Sequence, residues 1–429
     1  MYAKPKAMPF KAKGQTGELL MGGASFSTVE KPDHVPADRV VDFDYMHPKG
    51  IEDGTVYDVL RALQSGPDIV WTPHNGGHWV VTRFDDVKWV QENFAIFSHE
   101  EFTIPREASP VKMPPLTVDP PLHARYRAVL NPFFTPKKVG EMTEQARALT
   151  NELIDKVIDK GACDFRAEFS EVMPPAMFLG IVDLPADKRE QFIKWGKAFM
   201  HADSGAARQA ALGPIVAYLS GVIDERYAAG GEDMLAAIAR WRDNPRFGGE
   251  HEVMGMALLV YFGGLDTVTN LLSFVAWHLA ENPGHQRRLR EDPAIIPAAA
   301  EEYFRRFGLS NTGRLILSDV ERDGVTMKAG EMVMVPIGAS SIDDRRYADP
   351  FTVDFDREGN FAPGGGSHNT FGNGPHKCVG QPLARAELRV FLEEWVKRIP
   401  DFRLDPERPP VSHMGSVNGV TSLHLVWDK

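Results

Sequence analysis

The sequence predicts a mainly α-helical protein carrying a small β-rich lobe, and three observations predict it. Apolar residues recur at helical spacing through the middle of the chain, as Met142, Ala146, Leu149, Leu153 and Val157 do. No proline interrupts residues 252–281, so one helix of about 30 residues, roughly 45 Å at 1.5 Å per residue, is expected there. Runs of β character are short and gather near 69–82, 315–335 and the carboxyl end.

In chain order, Ile69–Thr72 and His78–Thr82 flank Pro73-His74-Asn75-Gly76-Gly77 and read as a hairpin. Asp85 caps a helix running through Phe94. Residues 98–121 hold Pro105, Pro110, Pro114 and Pro115 and form a long irregular segment, the kind of loop that closes over a pocket. Asp119-Pro120-Pro121 opens the next helix, which places His123 and Arg127 on one face where they can hold an anion. Gly161 ends the helix that carries the Met142 stripe, and further helices are expected from Asp187 to Met200 and from about Ala206 to Ala229. Glu302 and Arg305 share a face of a helix starting near Ile296 and can pair, with Arg357 as a third member. Short strands follow at 315–317, 325–327 and 332–335, with a last one from Leu423 to Trp427.

At 429 residues with 43% hydrophobic composition the chain can bury a large core, and no linker or repeat divides it. One catalytic domain over 37–429 is expected, preceded by a flexible Lys-, Gly- and Pro-rich arm over 1–36. No run of 18 apolar residues occurs and Met1-Tyr2-Ala3-Lys4-Pro5-Lys6 leads into no secretory core, so no membrane span and a cytoplasmic location are expected. Two distant cysteines, Cys163 and Cys378, fit a reducing compartment. A net charge of −11 argues against nucleic acid as partner.

Two stretches break local rules. Gly263-Gly264-Leu265-Asp266-Thr267 sits mid-helix, where each glycine costs about 1 kcal/mol relative to alanine. Small residues there leave room over a flat ligand, while Asp266 and Thr267 can relay protons; the alternative is close helix crossing with an exposed aspartate. Phe371-Gly372-Asn373-Gly374-Pro375-His376-Lys377-Cys378-Val379-Gly380 runs into the helix-like Gln381–Leu388. Backbone N–H groups and the helix's positive end favour a deprotonated Cys378 sulfur there. A small buried cysteine is the plainer reading, and the one that suits Cys163. Zinc held by His368, His376 and Cys378 would lack the paired ligand spacing of structural zinc sites.

The spacing Phe371-x-x-Gly374-x-His376-x-Cys378-x-Gly380 resembles the haem-binding loop of the cytochromes P450, and 263–267 resembles that family's oxygen-activating helix. The similarity extends from about Val41 to Trp427 and is greatest to the bacterial branch that includes the camphor-hydroxylating enzyme. The resemblance implies a triangular, mainly α fold with haem b between the long helix and the cysteine loop. It implies O2-dependent monooxygenation, R–H + O2 + 2 e⁻ + 2 H⁺ → R–OH + H2O, with Cys378 as axial iron ligand. Phe371, Gly372 and Gly380 would shape the haem loop, and His376, Arg127, His123 and Arg314 would neutralise the propionates. Thr267 and Asp266 would manage the protons of oxygen activation, with Glu302 and Arg305 as a structural pair.

The resemblance also implies a pocket formed by Phe102, Leu259, Phe262, Gly263, Ser310, Ser416 and Val417. It is mostly apolar, suited to a compact terpenoid of monoterpene or norisoprenoid size. The tyrosine that anchors camphor has no counterpart in Ser109–Leu116. The chain lacks a nicotinamide or flavin fingerprint, so electrons are expected from a two-iron ferredoxin and its NADH-dependent reductase, docking near Arg125, Lys377 and Arg385. A monomer is the family's usual state. A haem-based sensor and a peroxide-driven peroxygenase are the alternatives.

Overall fold

Helices make up most of the chain in the computed structural model, which describes residues 28–429 apart from 53, 107, 110, 201, 203–204, 245–248 and 360–367. Among the described residues twelve short strands fall in four sheets: β1 (Ile69–Thr72), β2 (His78–Val81), β3 (Phe97–Ser98), β4 (Ala162–Asp164), β5 (Asn311–Ile316), β6 (Val320–Arg322), β7 (Val325–Met327), β8 (Met332–Pro336), β9 (Phe402–Leu404), β10 (Val411–His413), β11 (Gly419–Ser422) and β12 (His424–Trp427). The principal sheet has the order β1-β2-β8-β5-β3, and only the β2–β8 pair is parallel. The predicted hairpin is in register, Ile69 facing Val81 and Thr72 facing His78.

Each element answers to its residues. The helix Pro136–Val157 buries Met142, Ala146, Leu153 and Val157 and passes through one 3₁₀ turn to Gly161, whose φ of +74° ends it. It packs against the carboxyl-terminal helix Gln381–Arg398, where Phe391 and Trp395 meet Phe165 and Phe169 at ring centroids of 5.0 to 5.5 Å. A second apolar cluster, around Phe192, Phe199, Leu258 and Tyr261, lies under the helices Arg189–Met200 and Gly205–Ala229. A third, around Trp71, Trp79, Phe97 and Val333, lies beneath the principal sheet.

Three expectations change. The helix expected from Asp85 is Phe84–Glu92, and its first N–H is held by a distant carboxylate, Phe84 N donating to Asp343 Oδ2 at 2.8 Å. The single central helix is two, Glu250–Gly263 and Thr267–Glu281, separated by a turn at 264–266. The arm expected through residue 36 is anchored at its described end. Val35 is buried, Val29 N donates to Pro73 O at 2.9 Å, and His34 meets Glu331 at 3.0 Å. The remainder of that arm lies outside the described residues. The stretch Glu250–Glu281 is long and apolar enough to cross a membrane by composition, yet Leu258, Tyr261, Leu272 and Val275 are fully buried in the core.

Candidate active site

The Cys378 loop is shaped by turns that require glycine. Gly372 and Gly374 have φ of +74° and +67°, left-handed values that a Cβ would strain. Cys378 N donates to Phe371 O and Gly372 N to Asn369 O, both at 2.8 Å, and Asn373 Nδ2 reaches Gln91 Oε1 at 2.7 Å. Gly380 caps the following helix, and a Cβ there would stand 3.8 Å from the Cys378 sulfur. Cys378 is exposed as a side chain, although burial is the largest influence on its thiol.

Burial pushes the Cys378 thiol up, and the Gly380 and Gln381 N–H groups with the Arg127 and Arg385 charges pull it down by less. Coordination to a cation would favour its deprotonated form. Zinc finds no set: His368 Nε2 is 3.3 Å from Glu301 Oε2 instead, and among the described residues no three His, Cys, Asp or Glu side chains gather as an ion site.

Beside this loop stand two arginines and three histidines with a single carboxylate among them. Arg314, on β5, is buried; its Nη1 donates to Thr312 Oγ1 at 2.9 Å while its Nε has no partner, and burial lowers it to about 10. His376 stacks on His99 with centroids 3.4 Å apart and lies 4.3 Å from His123. No hydrogen bond within 3.5 Å reaches either ring nitrogen of the buried His99 or His376 Nε2, although a Leu116 backbone group faces His99 and Asp119 faces His376. Arg127 Nη1 donates to Lys377 O at 2.9 Å, next to Cys378. The carboxylate nearest them, Asp119, is 3.6 Å from His376 Nε2 and is occupied by Ser98 Oγ and His99 N. Two arginines and three imidazoles around one carboxylate, with buried donors unspent, fit the propionates of a haem whose iron meets Cys378. His99 was not singled out from the sequence. Its only signal there is a lone histidine entering the proline-rich segment.

A Cβ on Gly263 would meet nothing within 4 Å, whereas one on Gly264 would lie 2.6 Å from the Phe178 ring. One glycine keeps a gap and the other permits a contact. Asp266 O and Oδ1 accept from Asn270 Nδ2 at 3.0 and 2.8 Å, and Asn270 Oδ1 accepts from Arg166 Nη1 at 2.8 Å. Arg166 Nε pairs with Glu171 at 2.7 Å, and Glu171 with the exposed Lys197 at 2.7 Å. A cleft of 30 Å³, room for about one water, opens among Arg166, Glu171, Lys197, Leu265, Asp266 and Thr269. The hydroxyl that bonds the helix backbone is that of Thr269, to Leu265 O at 2.9 Å, rather than that of Thr267.

The expected pocket residues are drawn together by β5 and the segment before β11. Gly313 N donates to Phe102 O at 2.7 Å, Asn311 N to Ser416 O at 2.9 Å, and Ser310 bridges Val417. Phe102, Leu259, Phe262 and Val379, the neighbour of Cys378, pack as half-buried residues on one apolar cluster. Beneath them Glu302 and Arg305 form a fully buried bidentate pair at 2.6 and 3.1 Å, joined by Arg357 Nε at 3.0 Å. The adjacent Glu301, unread in the sequence, binds Arg385 at 2.5 and 3.0 Å and ties the cysteine helix to helix Ile296–Arg306. Hydrogen bonds and charges from His368 and Arg385 overcome its burial and lower it to about 2. Arg385 is therefore taken up internally.

The sequence pattern of the family Cytochrome P450 matches residues 242–420. The chain is 32% identical to a protein described as probable cytochrome P450 127A1 of Sinorhizobium fredii, over 92% of this chain and 96% of that one. It is 30% identical to the mycinamicin IV hydroxylase/epoxidase of Micromonospora griseorubida, over 83% and 91%. Among solved structures, CYP101J2 superposes with a TM-score of 0.83 at 35% identity, over 94% of this chain and all of that one. CYP101C1 does so with 0.84 at 34%, over 93% and all.

Proposed function

The chain belongs to the cytochrome P450 family of haem-containing monooxygenases, and from that premise we propose that it hydroxylates a compact, largely apolar cyclic substrate of monoterpenoid or norisoprenoid size, with electrons from a two-iron ferredoxin. When bound, haem supplies O2 activation and C–H oxidation. Everything else is the work of side chains. Cys378 would ligate the iron, and Arg314, His99, His376, His123 and Arg127 would hold the propionates and so fix the ring's orientation. Phe102, Leu259 and Phe262 exclude water from the substrate side, and Ser310, Ser416 and Val417 limit how a small ligand turns.

The observation that carries the oxygenase reading is the broken helix at 264–266. Asp266 stands at the inner end of a polar path, Lys197, Glu171, Arg166 and Asn270, beside the water-sized cleft, and can pass a proton inward. Thr267, the first residue of the second helix, would orient that proton's donor. A sensor has no use for such a path. For the ferredoxin, exposed Leu122 and Arg125 on the helix that carries Arg127 offer an apolar residue beside a cation on the cysteine side. A cytoplasmic monomer completes the proposal.

Turnover under ¹⁸O2 with a two-iron ferredoxin, its reductase and NADH tests this reading. One labelled oxygen per product, with product tracking NADH, is the expected result. Unlabelled product, or turnover driven by peroxide alone with no gain from ferredoxin, contradicts it.

A further inference from the structure

Arg208 lies in the helix Gly205–Ala229, and its guanidinium is poorly satisfied. Its Nη1 donates to Ala108 O at 3.2 Å, its Nε is buried without a partner, and among the described residues no aspartate or glutamate pairs with it. Burial lowers its affinity for the proton, and the one group that offsets this is the phenol of Tyr45. Tyr45 is itself buried, donates to Ile104 O at 2.5 Å and is hydrogen-bonded to Ser416. The Arg208 guanidinium rests over the Phe199 ring at 5.9 Å, and Phe199 stacks on Phe262 at 4.4 Å. Phe262 adjoins Gly263, the residue with open space above it. A cation at one end, two aromatic rings and an open face at the other thus form a continuous line.

An arginine partly withdrawn from water without an anion is costly to keep, and a carboxylate offers its planar fork two parallel bonds. We propose that the substrate is a compact hydrocarbon bearing one carboxylate. Arg208 holds that group, with the Tyr45 and Ser416 hydroxyls beside it, and the hydrocarbon body lies along Phe199 and Phe262 so that a carbon remote from the carboxylate faces the oxidising centre. The proposal rests on the oxygenase reading above and narrows its substrate to an acid.

Binding of two isosteric probes to the holoenzyme, cyclohexylacetate and cyclohexylacetamide, tests it by calorimetry and by the shift of the haem absorption. The wild type is expected to bind the carboxylate about tenfold or more tighter, the yield of one charge-assisted fork. In Arg208→Gln the ratio falls to about one with amide affinity kept, and Arg208→Lys retains part of the preference. Equal affinity in the wild type, or a preference that survives Arg208→Gln, overturns the proposal. A carbonyl spectrum without thiolate character would instead overturn the oxygenase reading, while the calorimetric preference still reports on Arg208.

Discussion

Arg314 and His99 are buried with donors unspent, and a protein that keeps such groups keeps them for a ligand. Replacing both, Arg314→Ala with His99→Leu, is expected to leave the thermal stability of the haem-free chain unchanged or higher. Haem dissociation, followed by transfer to apomyoglobin, should accelerate tenfold or more, as on the order of 1.4 kcal/mol per lost charge-assisted contact implies. A second prediction concerns Thr267. In Thr267→Ala, NADH consumption continues while product per NADH falls several-fold and peroxide rises, measured by product and peroxide assay in one reaction. Unchanged coupling would remove Thr267 from proton management. Cys378, Asp266 and Thr267 stand out in the sequence because each sits in a fixed spacing that departs from local propensity, and the role proposed for each rests on that spacing. His99 and Arg208 were not, because their meaning lies in partners supplied from far along the chain, His376 for one, Tyr45 and Phe199 for the other.

Among the elements, the central helix differs most from what the sequence predicts. Its glycines announce weakness but not where the ladder opens. That is decided by Phe178 lying against Gly264 and by Asn270 taking both the carbonyl and the carboxylate of Asp266, neither of which spacing reveals. The two glycines should part under substitution. Gly264→Ala drives a Cβ into the Phe178 ring and is expected to destabilise the protein by about 1–3 kcal/mol. Gly263→Ala should leave thermal stability within about 1 kcal/mol while weakening ligand binding, because it fills the open face. Equal stability losses would deny the asymmetry.

The link between the cysteine helix and helix Ile296–Arg306 carries a pH dependence. Glu301 is lowered from 4.5 to about 2, so its contribution is complete above pH 4.5 and is lost as pH falls toward 2. The thermal midpoint of wild type should exceed that of Glu301→Gln at pH 7, and the gap should narrow below pH 4.5. A gap that stays constant to pH 3 would exclude this link. The pair Glu302–Arg305 was legible because it repeats at helical spacing, whereas the Glu301–Arg385 pair joins two helices and has no local signature.

Across the whole molecule, the helical body and the strands bring together residues from far along the chain: β5 meets the Phe102 segment and Ser416, and His99 stacks on His376, two residues before Cys378. The helical content and the hairpin followed from periodicity and turn residues. The convergence did not, since it depends on contacts between β3, β5 and the cysteine loop made across more than 200 residues, such as His99 on His376. The central claim is that this chain holds a haem ligated by Cys378. The dithionite-reduced protein under carbon monoxide tests it most directly. The account predicts a Soret band far to the red of that of a histidine-ligated haem, lost in Cys378→Ser. A protein that takes up no haem, or a histidine-like carbonyl band unchanged in Cys378→Ser, would contradict it.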